Sequence, residues 1–256
     1  MPQHQTFGFG VSFYSQSKPR CVTIEITFFK LKDTMTFQAA IFDMDGLLLD
    51  TERVCMNVFQ QACQAVDVPF LKDIYLNIIG RNAAGIEQTL RTGYGPDLDY
   101  PVLHEAWRSR YDAVVTQQAI PVKEGVIELL SWLKENNIPT AVATSTRREI
   151  AEIKLRLAGL DKYFDSTSTG CEVTNGKPDP EIYLLAASRL DIPAEQCLAF
   201  EDSNNGVRAA VAAQMITYQI PDLVEPSADI IELGHNIRPS LKTVLAELKQ
   251  QALISA

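Results

Sequence analysis

Two aspartates separated by one residue stand where the first strongly apolar run of the chain ends. Residues 37–42 lead into Asp43-Met44-Asp45-Gly46, and the glycine allows the chain to turn there. Like charges this close together resist joint ionisation, so a cation bound by both would relieve the conflict. Mg²⁺ is a hard cation that favours one or two carboxylates together with phosphate and water. The pair therefore predicts a magnesium site, with an Asp-rich turn that has no chemistry as the alternative.

A turn rich in hydroxyl groups follows the second apolar run, residues 139–143. It consists of Thr144, Ser145 and Thr146. Hydroxyl groups beside the amides of a helix N-terminus form a natural cradle for phosphate. Thr146 and Glu149 also fit a capping box, so we expect the following helix to begin there with Thr146 as its cap.

A lysine is held on a stiff loop farther along the chain. Lys177 precedes Pro178, whose ring fixes the backbone, and Asp179 and Pro180 fit the cap and first residue of a helix. A fixed ammonium group suits the charge of a phosphoryl group in transit. The alternative is a solvated loop lysine, which is how most lysines occur in proteins.

A second pair of carboxylates, Glu201 and Asp202, ends the third apolar run. These side chains could complete the shell of a metal ion that Asp43 and Asp45 begin. Alternatively, Asp202 or the next residue, Ser203, serves only as the cap of the following helix.

The elements that position these residues alternate between strands and helices. Strands are predicted at 37–42, 139–144, 197–200 and 215–220, and helices at 125–136, 147–158, 180–190 and 204–213. Short apolar runs without alternation are typical of strands buried on both faces of a parallel sheet. The pattern predicts an α/β fold with a doubly wound parallel sheet. Ligands bind at the carboxyl ends of the strands in such sheets, and the four polar clusters lie at the ends of strands or at the start of the following helix.

Residues 51–118 break the alternation because only helical patterns occur in them. We expect a helical cap domain at 51–118, inserted into a core domain formed by 35–50 and 119–256, and placed to act as a lid. Residues 1–34 match no part of this pattern and are interpreted as an extension that the fold does not need, although residues 22–28 alternate as a strand would.

Composition narrows the classes of function. The net charge of −9 and the pI near 4.9 argue against a nucleic-acid-binding protein. Five widely spaced cysteines without a C-x-x-C pair indicate free thiols in a cytoplasmic protein and give no support to a zinc or redox site. No run is long enough to span a membrane, and no secretory signal is visible. We expect a monomer, because no exposed apolar stripe stands out.

Together the clusters resemble the haloacid dehalogenase superfamily of phosphotransferases. Asp43-Met44-Asp45-Gly46 is similar to its first motif, Thr144 to its second, Lys177-Pro178 to its third and Glu201-Asp202-Ser203 to its fourth. The similarity runs from about residue 37 to residue 220. The stretch from Asp45 to Glu52 resembles the branch of sugar phosphatases and β-phosphoglucomutases, in which a helical cap follows the first motif.

The resemblance implies a Mg²⁺-dependent phosphatase that acts on a small phosphorylated substrate, such as a sugar phosphate. Asp43 would form an aspartyl-phosphate, and Asp45 would be the general acid and then the general base. The metal would be held by Asp43, the backbone carbonyl of Asp45 and Asp202, with Glu201 nearby. The phosphoryl oxygens would be bound by Thr144, the amide of Ser145 and Lys177. Arg81, in a turn of the cap, would contact the substrate, or else is an ordinary surface arginine.

Three alternatives are compatible with the same fold. Phosphomutases of this branch typically carry a histidine four residues after the Thr of D-T, where this chain has Cys55, which disfavours a mutase. Dehalogenases lack an Asp at the position of Asp45. A silent regulatory protein is disfavoured because Asp43, Asp45, Lys177 and Asp202 are all present, although a fold alone would permit it.

Overall fold

The computed structural model describes residues 37–79, 81 and 83–255. The predicted N-terminal extension, residues 1–34, lies outside these residues. The strands are β1 (Ala39–Phe42), β2 (Thr140–Thr144), β3 (Ser166–Thr169), β4 (Cys197–Glu201), β5 (Ile216–Gln219) and β6 (Asn236–Ile237). The helices are α1 (Thr51–Ala65), α2 (Lys72–Leu76), α3 (Ala83–Tyr94), α4 (Tyr100–Gln117), α5 (Val126–Glu135), α6 (Arg148–Leu157), α7 (Glu181–Arg189), α8 (Asn204–Ala212), α9 (Ala228–Ile231) and α10 (Leu241–Ser255).

The six strands form one parallel sheet in the order β3-β2-β1-β4-β5-β6. The chain builds outward from β1 to β3 on one side and then crosses to β4 on the other side of β1. The strand order therefore reverses between β1 and β4, which is where open α/β sheets leave a crevice for ligands.

Apolar side chains alternate between the two faces of the sheet. On β1, Ala40 and Phe42 pack into one cluster with residues of α5, α6 and α10, whereas Ala39 and Ile41 pack into another with residues of α7 and α8. The sheet is thus covered by helices on both faces, which is why its central strands are fully buried. The predicted doubly wound α/β fold is confirmed.

The four predicted strands are all present, but two edge strands were missed. β3 has the sequence Ser-Thr-Ser-Thr and is only partly buried, and β6 is two residues long. Neither has the apolar run by which a central strand is recognised, because an edge strand has fewer neighbours to pack against.

Four helices, α1 to α4, fill the described chain between β1 and α5, and we call this segment the cap. They have a core of their own, in which Phe59 of α1 lies against Tyr75 of α2 and Trp107 of α4, with ring centroids 5.2 and 4.9 Å away. Helix α4 also packs against α6 of the sheet-containing core. The cap therefore rests on the helix that follows the hydroxyl-rich turn.

The two linkers that join the cap to the core run side by side. Leu49 and Val122 form an antiparallel bridge, the Asp50 amide donates to the Pro121 carbonyl at 2.9 Å, and the Lys123 amide donates to the Leu48 carbonyl at 3.0 Å. The chain therefore enters and leaves the cap at one point.

Two sequence-based expectations concern the described residues as a whole. No helix among them combines the length and apolar character needed to cross a membrane. The four cysteines that the structure describes, Cys55, Cys63, Cys171 and Cys197, are unpaired thiols, as expected.

Candidate functional site

The Lys177 ammonium lies at the centre of the candidate site. Its Nζ donates to Asp43 Oδ1 at 2.5 Å, to Glu201 Oε1 at 2.6 Å and to the Ala143 carbonyl at 3.0 Å. These three bonds use all the donors of an ammonium group. Since Lys177 and Asp43 are at least nine-tenths buried and Glu201 is fully buried, the lysine is not a solvated loop residue. The structure therefore brings together the ends of β1, β2 and β4 through one cation.

Glu201 is held more completely than any other carboxylate of the site. Oε1 accepts from Lys177 and from the buried Tyr183 hydroxyl at 2.7 Å, and Oε2 accepts from the Asp202 amide and from the amide and hydroxyl of Ser203. The glutamate fills the space where Gly206 has no side chain, and a Cβ there would overlap its carboxylate. These contacts fix the loop that carries Asp202.

The Asp202 side chain points toward Gly46 of the first motif, and Ser203 is the N-terminal capping residue of helix α8. The Ser203 hydroxyl accepts from the Gly206 amide at 3.1 Å, which leaves Asp202 free of the capping role. The Asp202 carboxylate lies against Gly46, where the backbone has φ +87° and a Cβ would overlap it. A side chain at this position would therefore be excluded both by its backbone conformation and by the approach of Asp202.

Three carboxylates can point oxygens at one cation. Ligand oxygens of Asp43, Glu201 and Asp202 lie within 4.8 Å of one another, and Lys177 is the ammonium beside them. Two carboxylate charges are thus left without a matching positive charge. Hard oxygen donors with an excess of two negative charges suit a hard divalent cation such as Mg²⁺, so the residues present fit the predicted metal.

The pKa values of these carboxyl groups reflect their burial and, after it, the excess negative charge. Burial raises the pKa of Asp43 to about 8 against the opposing effect of Lys177, and the charges of Glu201 and Asp45 add to the rise. Burial, followed by the charges of Glu201 and Asp43, also raises the pKa of Asp202 well above its usual value. A bound divalent cation would favour the ionised forms of both groups.

Asp45 is held at both carboxylate oxygens. Oδ1 accepts from the Lys154 ammonium at 2.8 Å, and Oδ2 accepts from the Thr146 hydroxyl at 2.7 Å and from the Thr144 hydroxyl at 3.5 Å. The predicted capping box at Thr146 and Glu149 is wrong. Helix α6 begins at Arg148 with Arg147 as its flanking residue, so Thr146 lies outside the helix and is free to bind Asp45.

The second-motif hydroxyls have different exposures. Thr144 is 1% exposed and its hydroxyl also accepts from the Thr146 amide at 3.1 Å, whereas Ser145 is exposed and lines the cavity of the site. The Ser145 carbonyl packs closely on Gly170, where a Cβ would overlap it. This contact fixes the turn between β2 and α6.

A cavity of about 560 Å³ opens at the carboxyl ends of the strands. Core and cap both contribute to its wall, which contains Ser145, Lys177 and Asp202 from the core and Arg81 from the cap. The neighbours of Arg81 in the predicted turn, Gly80 and Asn82, lie outside the described residues. Most of the residues in the wall are polar, and they carry both signs of charge. The wall also includes Glu52, Ile79, Ser203, Asn204, Asn205, Arg208, Asp222, Leu223, Val224 and Ser227.

Glu52 and Lys154 are among the ionisable residues of the site to which the sequence analysis assigned no role. Burial, with the nearby charges of Asp45 and Asp222, raises the pKa of Glu52 on the cavity wall to about 7. Burial lowers the pKa of Lys154, but the charge of Asp45 and the contact with Tyr111 more than offset this and raise it. A signal for Lys154 was present, because it falls on the buried stripe of α6 between Ala151 and Leu155.

The chain is similar to known proteins in sequence and in fold. Residues 37–214 match a family model described as haloacid dehalogenase-like hydrolase. The chain is 34% identical over 180 residues to a phosphorylated carbohydrates phosphatase of Thermotoga maritima, covering 69% of this chain and 81% of that protein. It is 28% identical over 184 residues to a β-phosphoglucomutase of Bacillus subtilis, covering 70% and 80%.

A solved structure has the same fold. A HAD family hydrolase of Deinococcus radiodurans, crystallised with bound phosphate and sodium, matches with a TM-score of 0.74 and 26% identity over 85% of this chain and 97% of that one. The superfamily, the fold class and the prediction of an enzyme of the hydrolase class are confirmed. The chain belongs to the haloacid dehalogenase-like hydrolase family.

Proposed function

We propose that this protein is a Mg²⁺-dependent phosphatase that hydrolyses a small phosphate monoester through a phosphorylated Asp43. The observation that carries the proposal is the Lys177 ammonium, which contacts Asp43 and Glu201 beside a cavity lined by Asp202. A carboxylate held by an ammonium, and able to share a divalent cation, is suited to accept a phosphoryl group.

In the first step, a carboxylate oxygen of Asp43 attacks phosphorus, and the bond from phosphorus to the leaving oxygen breaks. The protonated carboxyl of Asp45 gives its proton to that oxygen, so that a neutral alcohol departs. The Ser145 amide and the Thr144 hydroxyl bind the remaining phosphoryl oxygens, and the positive charge of Lys177 beside Asp43 stabilises the negative charge on them.

In the second step, water attacks the phosphorus of the aspartyl-phosphate while Asp45, now a carboxylate, takes one of its protons. The bond between Asp43 and phosphorus breaks, inorganic phosphate leaves, and both aspartates return to their starting forms. Asp45 thus serves as acid and then as base.

The metal would be held by the carboxylates of Asp43 and Asp202 and by the backbone carbonyl of Asp45. When bound, the ion supplies positive charge that keeps Asp43 ionised beside the negative phosphate. Glu201 belongs to the same cluster, but its two oxygens already accept five hydrogen bonds. We therefore assign it to holding Lys177 and the Asp202 loop in place.

Magnesium binding is testable without turnover. Mg²⁺ at about ten times its dissociation constant should stabilise the wild type by about 1.4 kcal/mol, which is about 2–4 °C in melting temperature. Asp202→Asn should lose most of this shift, and the exposed control Asp97→Asn should keep it. The measurement is thermal unfolding with Mg²⁺ or with EDTA. An undiminished shift in Asp202→Asn would contradict the assigned ligand.

A phosphorylated carbohydrate is the substrate class that we favour. The wall of the cavity carries side-chain amides, hydroxyls and carboxylates that suit the hydroxyl groups of a sugar. The Thermotoga maritima relative is named for phosphorylated carbohydrates. A panel of sugar phosphates, nucleotides and p-nitrophenyl phosphate, assayed for phosphate release with Mg²⁺ and with EDTA, tests the function itself. Absence of metal-dependent release from every ester would refute it.

Arg81 is proposed to contact the substrate from the cap. Its side chain lies on the cavity wall, and its Nε donates to the Asn77 carbonyl, which orients the guanidinium. Arg81→Ala should raise the KM for the best substrate by about 10-fold, the value of one hydrogen bond to a charged group. Arg91→Ala, which removes an arginine paired with Glu87 elsewhere on the cap, is the control. An unchanged KM in Arg81→Ala would remove this assignment.

A phosphomutase is the second candidate, because the Bacillus subtilis relative is a β-phosphoglucomutase. The residue at the position of the expected histidine argues against it. Burial raises the pKa of the Cys55 thiol to about 11, so this side chain is a poor acid or base near neutral pH. Incubation with a sugar 1-phosphate separates the two functions, since a mutase gives an isomeric sugar phosphate and a phosphatase gives free sugar and phosphate.

A further inference from the structure

A buried lysine outside the cavity wall touches the group that we assign as acid and base. Lys154 of α6 is 2% exposed, and its neighbours on the buried stripe, Ala151 and Leu155, pack into the apolar core. A charge at such a position is costly unless it is paired and hydrogen-bonded. Its partners are Asp45 Oδ1 at 2.8 Å and the Tyr111 hydroxyl at 3.2 Å. The placement of the lysine therefore depends on Asp45.

The other oxygen of Asp45 is held from the same connection of the fold. The Thr146 hydroxyl donates to Oδ2 at 2.7 Å, and Thr146 lies in the turn between β2 and α6, the helix that carries Lys154. Bonds at both oxygens restrict rotation of the carboxylate about its side-chain torsions. A group that must give and take a proton at a defined point gains from such restraint, since a small displacement lowers the rate strongly.

Tyr111 links this arrangement to the cap. It lies on α4, whereas Lys154 lies on the core helix α6, and the ammonium is 5.4 Å from the centre of the tyrosine ring as well as within hydrogen-bond distance of its hydroxyl. The contact therefore exists only while the cap is seated on α6.

We propose that Lys154 is a positioning residue that holds the Asp45 carboxylate for proton transfer, and that Tyr111 makes this positioning depend on the seating of the cap. The proposal rests on the proposed function, in which Asp45 protonates the leaving alcohol. Lys154 is assigned a role through Asp45 rather than a contact with substrate, because the hydrogen-bond partners of its buried ammonium are Asp45 and Tyr111.

The leaving group of the substrate provides the test. An alkyl phosphate needs a proton on its departing oxygen, whereas p-nitrophenolate leaves without one, and kcat/KM reports the reaction up to the first irreversible step. Lys154→Met should lower kcat/KM for an alkyl phosphate such as a sugar phosphate by about 10- to 100-fold and for p-nitrophenyl phosphate by less than about 3-fold. Asp45→Asn should show the same pattern with a larger ratio.

Three further variants separate positioning from folding. Lys154→Arg, which keeps a cation, should recover part of the loss on the alkyl ester. Tyr111→Phe should show the same selective loss at about 3- to 10-fold, the value of one hydrogen bond. Leu155→Ala, which removes apolar packing from the same helix, should lower the melting temperature and leave the ratio of the two esters unchanged.

Two outcomes would overturn the assignments, and they are distinct. Equal losses on the alkyl and aryl esters in Lys154→Met, or no loss on either, would refute the positioning role while the wild type remains a phosphatase. No metal-dependent hydrolysis of any ester by the wild type would refute the proposed function itself.

Discussion

Asp43→Asn is expected to lower phosphate release by roughly 10⁴-fold or more on every substrate, because it replaces the carboxylate that is proposed to attack phosphorus. The amide has the shape of the carboxylate and cannot form the aspartyl-phosphate. Wild type and variant should be assayed with the best sugar phosphate and with p-nitrophenyl phosphate in Mg²⁺. Asp97→Asn, an exposed aspartate of the cap, is the matched control and should keep full activity. Retention of more than a few per cent of the wild-type rate would exclude Asp43 as the nucleophile.

The stability of the same variant shows whether the loss is chemical. Without metal, burial and the neighbouring carboxylates raise the pKa of Asp43 to about 8 against the effect of Lys177. A folded-state pKa above the unfolded one contributes stability that is lost as the pH rises from about 4 to about 8. Asparagine has no proton to lose, so in EDTA at pH 8 the variant should melt no lower than the wild type. A markedly lower melting temperature would point to unfolding as the cause of inactivity.

Lys177→Met should lower kcat by about 10³-fold, because it removes the cation that holds Asp43 and faces the transferred phosphoryl group. It also leaves Asp43 and Glu201 without their shared ammonium in a buried site, which should cost about 3–5 kcal/mol of folding free energy. The cost should be smaller at pH 5 than at pH 8, because the unpaired carboxyl groups can then take up protons. Lys162→Met, at an exposed lysine, should change neither quantity.

The effect of Lys177→Met on kcat can be separated from its effect on the free energy of folding. Glu201→Gln keeps the shape of the carboxylate partner and leaves Lys177 in place, so it should remain folded and lose less activity than Lys177→Met. Near-normal turnover in a folded Lys177→Met protein would contradict the role of the ammonium. Phosphate release and chemical denaturation, measured on the same preparations, decide between these outcomes.

The elements that could be predicted from the sequence are those that are buried on both faces. β1, β2 and β4 are mainly apolar runs because helices cover them on each side, whereas β5, with Thr217 and Gln219, carries a weaker signal. The helices show amphipathic stripes because one face of each packs on the sheet. The missed strands, β3 and β6, lie at the two edges of the sheet. Their pairing is decided by the neighbouring strand rather than by their own composition, so no local pattern identifies them.

For the site, motif residues could be predicted but their partners could not. Asp43, Lys177, Glu201 and Asp202 each carry a local signal at a strand or helix end, and the parallel sheet brings them together. The contacts of Asp45 depend on which residues the turn after β2 presents to it. Thr146 illustrates the limit, since its local pattern fits a helix cap as well as a ligand of Asp45, and only the tertiary contact decides.

The side-by-side linkers, joined by the Leu49–Val122 bridge, bear on how such proteins can diversify. Because the two ends of the helical segment are already together, the entropic cost of closing it grows by only about 0.6 kcal/mol for each doubling of its length, provided that the contact of α4 with α6 is kept. Helices could be lengthened, shortened or exchanged there with little penalty to the sheet. New substrates could thus be acquired by changing the cap, while the aspartates and the lysine of the core stay unaltered.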